Sequence, residues 1–170
     1  MIKKTGMRIF SKKYPRGIRV AGLILSKDKK RIILIERYKQ GRHYFVFPGG
    51  GVEDTDVTKR GALLREIKEE TNSLTKIVSQ PYRLEVKGHS KQIFYICEHI
   101  KGKPLVIGEE KKKQNHNDKY TAKWFLIKNL DKMTVYPVEI KDWLLNDLAS
   151  GYWQKRVLRV SSFDLLKKLN

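Results

Sequence analysis

The sequence predicts an α/β fold with a mixed β-sheet, and three observations support this prediction. Residues 18–25 and 31–37 are apolar segments rich in branched side chains, separated by the polar turn 26–30, a pattern typical of a β-hairpin. Helical spacing is found over 59–71, between predicted strands, and again over 138–149. Because a hairpin pairs its strands antiparallel, an all-parallel sheet is excluded.

The segment before the first helix contains the most unusual local pattern. Residues 1–17 are a basic lead-in with a short strand predicted near 7–10. Residues 44–47 form an aromatic strand that ends at Pro48 and is followed by three consecutive glycines, Gly49 to Gly51. Glycine permits positive φ and close backbone approach, and backbone carbonyls can serve as hard oxygen ligands.

The remaining chain continues the alternation of strands and helices. The further strands are predicted at 82–86, 92–100, 123–127 and 156–160. A long loop over 101–119 carries a charge run, and loops of this length are usually functional or mobile. We expect one domain over residues 1–150. Residues 151–170, with a short helix near 163–169, form a C-terminal extension packed on that domain, where it could cover a sheet edge or make a homodimer contact.

The composition is strongly basic. The 170 residues include 37 Lys and Arg against 18 Asp and Glu, a formal net charge of +19. Such a field attracts anions, whether nucleotides, nucleic acid or an acidic membrane surface, and does not choose among them.

Cysteine content and hydropathy favour a soluble, cytoplasmic protein. The single thiol, Cys97, cannot form an internal disulfide and lies in a predicted strand, so we expect it to be buried and structural. No apolar run approaches the roughly 18–20 residues that span a bilayer, and the N-terminus lacks the apolar block of a secretion signal.

The first helix carries a cluster of acidic side chains. Glu66, Glu69 and Glu70 fall within an arc of about 100°. Like charges at this spacing destabilise a helix by roughly 0.2–0.5 kcal/mol per pair, so carboxylates clustered beside a core normally need a cation. Oxygen-only ligands favour Mg²⁺ or Mn²⁺ over Zn²⁺. The adjoining face is apolar and should pack on the sheet: Leu63, Leu64 and Ile67.

Two other side chains of this helix have expected roles in the acidic site. Arg65 precedes Glu69 by four residues and could hold that carboxylate. Ala62, one turn before Glu66, lies on the acidic side, where its small side chain would leave room for a bulky anion.

The segment PGGGVEDTDVTKRGALLREIKEETNSL resembles the Nudix box. The matching residues are Gly50, Arg65, Glu66, Ile67, Glu69 and Glu70. The resemblance implies the Nudix fold, a mixed β-sheet in an α/β/α sandwich, and hydrolysis of a diphosphate linkage with the help of a divalent metal.

The segment departs from the family pattern at three places. Asp56 stands where the family usually has Glu, and one extra residue separates it from Arg65, which leaves the role of Asp56 open. Asn72 replaces the Gly after the helix, and Ser73 replaces an apolar residue. Asn is the next-best residue at a left-handed helix cap, so we expect the turn to survive.

The resemblance also implies roles for individual residues. Glu69 and Glu70 would be the main metal ligands, with the carbonyl of Gly50 beside them. Glu66 would be a further ligand or the general base, and Arg65 would orient the carboxylates. Family members often add a catalytic group from a later loop, for which Glu109 or Glu110 is the candidate.

Residues before the glycines are candidates for substrate binding. Arg37 and Arg42 could contact phosphates. Tyr44 and Phe45 lie on opposite faces of one strand, so one face could stack on a base while the other joins the core.

Three functions remain open on the sequence alone. The first is a metal-dependent hydrolase acting on a nucleoside di- or triphosphate or another nucleotide derivative. The second is an RNA 5′-pyrophosphohydrolase, which the +19 charge favours. The third is a non-catalytic Nudix-fold domain that binds a nucleotide or nucleic acid, although the three retained glutamates argue against it.

Overall fold

The computed structural model of the protein describes residues 17–87, 90–106, 115 and 118–160. Nine strands within these residues form one mixed sheet. They are β1 (Ile18–Leu25), β2 (Arg31–Lys39), β3 (Arg42–Val46), β4 (Gly49–Gly51), β5 (Leu74–Val86), β6 (Ser90–Lys101), β7 (Asp118–Leu126), β8 (Val135–Tyr136) and β9 (Arg156–Val160). The helices are α1 (Lys59–Thr71), a 3-10 turn (Ile127–Lys132) and α2 (Val138–Ser150).

The sheet opens between its two central strands. Strands β1 and β2 are paired antiparallel through only two positions beside their turn, Ile24 opposite Ile33 and Leu25 opposite Ile32. Beyond these positions β1 pairs with β4 and, in parallel, with β6, whereas β2 pairs with β3 and β7. The predicted hairpin and mixed sheet are therefore confirmed. The divergence curls the sheet and leaves an opening beside β4.

A helix covers each face of the sheet, as expected for an α/β/α sandwich. Successive side chains of a strand point to opposite faces, so Leu23 and Leu25 of β1 pack with α2, whereas Val20 and Ile24 pack with α1. Cys97 lies in the α1 layer and is buried, as predicted, and its burial raises the pKa of the thiol to about 12.

Helix α1 begins and ends where the sequence predicts. The Thr58 side chain accepts a hydrogen bond from the Gly61 amide (2.9 Å) and caps the N-terminus. Asn72 adopts the left-handed conformation at the C-terminal cap, with φ 50° and ψ 28°. The substitution of Gly by Asn at this position therefore leaves the turn intact.

Two side chains of α1 lie elsewhere than predicted. Leu64 is 41% exposed, because it lies about 100° further around the helix than Leu63, beyond the arc that packs on the sheet. Ala62 is fully buried in the core beside Ile67, so it does not leave space over the acidic site.

Strands β5 and β7 begin earlier than predicted, at Leu74 and Asp118. In β5 the register with β6 shifts twice around Pro81, which interrupts the alternation that marks a strand in sequence. The strand predicted near 7–10 and the helix near 163–169 lie outside the described residues. None of the described helices has the length and apolar content needed to cross a membrane.

Residues 156–160 of the C-terminal segment join the same sheet as the other described strands. Strand β9 pairs in parallel with β5, and both contact Asp147 of α2, which is 1% exposed. Asp147 accepts hydrogen bonds from the Tyr82 hydroxyl (2.7 Å) and the Gln154 amide (2.9 Å), and it pairs with Arg156 (2.7 Å). A homodimer contact through this segment stays a prediction.

Replacing Asp147 by alanine should lower the free energy of unfolding by about 3 kcal/mol, because it leaves the buried Tyr82 hydroxyl and Arg156 without their shared acceptor. Urea denaturation followed by circular dichroism measures this difference. The control is Asp142→Asn on the same helix, whose half-exposed side chain makes only a 3.6 Å ion pair with Lys141 and should change stability by less than about 0.5 kcal/mol. Equal stability of the two variants would contradict the role assigned to Asp147.

Candidate active site

Close approach of α1 to β4 places the acidic cluster. A side chain at Gly50 would collide with the carboxyl group of Glu66, so only glycine allows the helix to lie this near the strand. Gly49 has φ 156°, and a Cβ there would lie 2.6 Å from the Ala21 Cα atom. Its amide donates a hydrogen bond to Glu70 (2.7 Å). The glycine segment and the acidic face of the helix are thus in direct contact.

Arg65 organises the acidic residues. Its Nε and Nη2 atoms donate to the two oxygens of Asp56 (3.1 and 2.9 Å), and Nη1 donates to Glu66 (2.9 Å). A longer contact of 3.5 Å reaches Glu69, and Nη2 also reaches the Gly51 carbonyl (3.3 Å). The hydrogen bonds with Asp56 are the main cause of the raised pKa of Arg65, which keeps the guanidinium charged.

The structure answers the question left open about Asp56. This carboxylate is 8% exposed and accepts hydrogen bonds from Arg65 and from the Glu53 amide (2.8 Å). The inserted residue lies between Asp56 and the helix and does not separate Asp56 from Arg65. The guanidinium group of Arg65 is therefore held in place by a carboxylate outside the helix.

The three glutamates of α1 have different surroundings. Burial raises the pKa of Glu66 above its ordinary value, while the adjacent Arg65 acts in the opposite direction. Glu70 contacts the Gly49 amide, and the side chain of Glu69 is 48% exposed. The part of the chain that the structure describes contains no group of three acidic, histidine or cysteine side chains arranged as a preformed metal site.

A cavity of about 280 Å³ lies where the sheet opens between β1 and β2, and Glu70 of α1 is part of its lining. Its wall combines two cations, a carboxylate, an amide and three aromatic rings: Arg19, Arg37, Glu70, Gln92, Phe47, Phe94 and Tyr136. Concave sites that combine convergent polar groups with aromatic surface are typical of ligand binding.

Arg37 lies at the junction of this cavity with a second one of about 60 Å³, which is also bordered by Glu70. Its Nη2 atom donates to both oxygens of Asp118 (3.0 and 3.2 Å), and its guanidinium lies 5.4 Å from the ring centre of Tyr120. Burial alone lowers the pKa of Arg37, but the hydrogen bonds to Asp118 together with the charge interactions with Tyr44, Asp118 and Glu70 outweigh it, so the net shift is upward. The side chain is therefore a permanent cation.

The other predicted substrate residues are distributed differently. Tyr44 is half-buried and makes an edge contact with Tyr136, whose ring lines the cavity (5.9 Å between centroids). Phe45 is buried in the core against Phe125 and does not line the cavity. Arg42 is exposed near the β2–β3 turn and does not line the cavity. Glu109 and Glu110 lie outside the described residues.

The sequence profile of the NUDIX domain matches residues 15–144 of the chain. An ADP-ribose pyrophosphatase from Methanocaldococcus jannaschii is 30% identical over 151 residues, which cover 85% of this chain and 82% of the relative. The chain belongs to the Nudix family. It is accordingly a pyrophosphohydrolase with a nucleotide-like substrate, and Nudix hydrolases generally use divalent metals.

Solved structures agree with the Nudix fold. A NUDIX hydrolase from Nitrosomonas europaea has a TM-score of 0.62 at 11% identity, covering 85% of this chain and 78% of that chain. An ADP-ribose pyrophosphatase from Streptococcus suis has a TM-score of 0.56 at 17% identity, covering 84% and 98% respectively. At these identities the likeness shows the fold alone.

Several cavity residues of this Nudix protein were not predicted from the sequence, and four of them carry polar or aromatic side chains from other parts of the chain. These four are Arg19, Gln92, Phe94 and Tyr136. The first three come together because β1 and β6 pair in parallel, with Arg19 opposite Gln92 and Ala21 opposite Phe94. No local sequence pattern predicts the pairing of two strands that are about 70 residues apart in the chain.

Replacing Asp56 by asparagine should reduce metal-activated hydrolysis by about 10–100-fold. The reason is that the Arg65 guanidinium would lose the negatively charged partner that holds it beside the helix. Titration of activity with Mg²⁺ should show a higher metal requirement. The control is Glu53→Gln in the same loop, whose side chain is exposed and should leave activity unchanged. An unchanged metal titration for Asp56→Asn would refute the positioning role.

Proposed function

We propose that this Nudix enzyme cleaves the phosphoanhydride of a nucleoside diphosphate derivative, with ADP-ribose as the first substrate to test. The observation that carries the proposal is the cavity of about 280 Å³. Its lining includes two arginines, an aromatic wall and Glu70 of α1, the helix of the Nudix box (below, the box helix). A diphosphate needs cationic partners and a nucleoside needs apolar surface, and this cavity offers both. The M. jannaschii relative, an ADP-ribose pyrophosphatase, supports this choice of substrate.

The donor set fits a hard divalent cation, Mg²⁺ or Mn²⁺. Glu66, Glu69 and Glu70 supply only oxygen atoms, and Gly50 places backbone directly against Glu66 without a side chain between them. Each carboxylate has a protein donor but keeps further oxygen lone pairs, so Arg65 can hold Glu66 and Glu69 while they bind a cation. We assign Glu69 and Glu70 as the main ligands, beside the Gly50 carbonyl, and Glu66 as a further ligand or the general base.

Divalent cations neutralise phosphate oxygens and make water a stronger acid. The residues of the chain then have three tasks. Arg65 fixes the position of the acidic side chains through its bonds to Asp56. Arg37, which borders the cavity together with Glu70, binds phosphate oxygens. The aromatic rings of Phe47, Phe94 and Tyr136 exclude water from the nucleoside.

Replacing Glu66 or Glu70 by glutamine should lower the rate by about 100-fold or more, the scale typical of losing a metal ligand or general base. A chelator should abolish the wild-type activity, and added Mg²⁺ or Mn²⁺ should restore it. The control is Glu98→Gln, an exposed residue of β6 outside the cavity, which should keep the wild-type rate. Near-normal rates in both Glu66→Gln and Glu70→Gln would overturn the assignment.

A substrate panel separates the proposed activity from its alternatives. The panel consists of ADP-ribose, a nucleotide sugar, a nucleoside triphosphate and a 5′-triphosphorylated RNA, each with Mg²⁺ and with Mn²⁺. The net charge of +19 justifies including RNA. Preferred hydrolysis of RNA would replace the proposed substrate class, and binding without turnover of any compound would identify a non-catalytic domain.

Replacing Tyr136 by alanine should raise the KM for a nucleotide substrate by about tenfold, because stacking of a base on an aromatic ring contributes about 1–3 kcal/mol. The value of kcat should change little, since Tyr136 lies at the cavity wall away from Glu66. The matched control is Tyr152→Ala, whose ring is 67% exposed outside the cavity. Steady-state kinetics would contradict the role of Tyr136 if both variants had the wild-type KM.

A further inference from the structure

Arg37 is held from two sides by residues of β7. The Nη2 atom of Arg37 donates hydrogen bonds to both carboxylate oxygens of Asp118, at 3.0 and 3.2 Å. The Tyr120 ring lies opposite Arg37 in the register of β2 and β7 and contacts the guanidinium, 5.4 Å from the ring centre. Two contacts of different direction fix a planar group that would otherwise rotate freely.

This arrangement leaves one buried donor without a partner. The Nε atom of Arg37 is inaccessible to solvent and has no hydrogen-bond partner among the described residues. An unpaired buried donor normally costs about 1–3 kcal/mol, so such groups usually have a partner in the functional state. Arg37 borders both cavities, and each of these cavities also includes Glu70.

The smaller cavity matches the size of a phosphate group rather than that of a nucleoside. Its volume is about 60 Å³, and its remaining wall is formed by Ile35, Val46 and Tyr120. A cavity needs roughly 10–15 Å³ of such space to hold one water, so this one admits a few waters or one compact group. A phosphoryl group placed here would face the Arg37 side chain and lie beside Glu70.

We propose that Asp118 is a positioning residue that fixes Arg37, so that the guanidinium receives one phosphoryl group of the substrate between β2 and the box helix. This role rests on the proposed function, because it presumes a diphosphate in the cavity. Asp118 does not touch the phosphate itself. It acts by holding Nη2, so that the guanidinium keeps one orientation at the border of the two cavities.

A purely structural role for Asp118 makes a different prediction. Asp118 also approaches Lys39 at 3.8 Å and begins strand β7, so its loss could weaken the sheet instead of the binding site. Weakening of the sheet would affect the protein whether or not Arg37 is present. A positioning role requires Arg37, so the two explanations separate in a double-mutant cycle.

The test is the affinity for imidodiphosphate, a diphosphate analogue with nitrogen as the bridging atom, measured by calorimetry at a fixed Mg²⁺ concentration. Four proteins are compared: the wild type, Asp118→Asn, Arg37→Ala and the double variant. We expect Asp118→Asn and Arg37→Ala each to weaken binding by about tenfold, within the range of coupled side chains. The double variant should bind no more weakly than Arg37→Ala alone.

One control variant and one replacement variant accompany this cycle. Glu36→Gln removes a carboxylate from the neighbouring position of β2, on the opposite face, where it accepts from Lys123 (2.6 Å) and His43 (3.0 Å). It should leave the affinity unchanged. If Asp118→Asn is unstable in urea denaturation, Asp118→Ser provides the second variant for the same cycle.

The outcomes distinguish the two proposals. Wild-type affinity in Asp118→Asn, or losses that add in the double variant, would overturn the positioning role even in an active enzyme. Absence of imidodiphosphate binding to the wild type would also overturn it. Failure of the proposed function appears separately, as a lack of turnover across the substrate panel while the binding cycle still gives its answer.

Discussion

The contact between Gly50 and Glu66 is the constraint on which the site depends. Helix α1 lies so near β4 that a side chain at this glycine would occupy the place of the Glu66 carboxyl group. The same approach brings Glu70 within hydrogen-bond distance of the Gly49 amide. A wider spacing would leave these carboxylates on an ordinary solvated helix face, where salt and water screen their interactions. The glycine strand therefore turns an acidic helix into one wall of a cavity.

The site contains a cluster of negative side chains, although the whole chain is strongly basic. The protein carries a net charge of +19, yet the box helix presents three carboxylates beside the cavity. Arg65 lies among them, while Arg19 and Arg37 border the cavity. Charges that are partly withdrawn from water interact more strongly than charges at the surface. The local placement of these charges therefore affects binding more than the net charge of the chain does. Such a site can hold a cation and a polyanion together.

Sequence patterns predicted the box helix well because its signals are local. The cap residues Thr58 and Asn72 and the spacing of the apolar side chains are all contained within 15 residues. The errors concern which way a side chain faces. Phe45, a candidate for base stacking, and Ala62, expected to leave room for the anion, both lie in the core, because only packing decides which side chains at the edge of an apolar face turn inward.

The sequence by itself determined seven of the nine described strands, the capped helix, the acidic cluster and the resemblance that indicates a Nudix hydrolase. Its information is local: periodicity, caps and the spacing of residues within one segment. The tertiary structure alone decided that Arg19 lies opposite Gln92 and that Arg37 is paired with Asp118, 81 positions away. These contacts follow from strand pairing, whose partner and register depend on burial across the whole sheet.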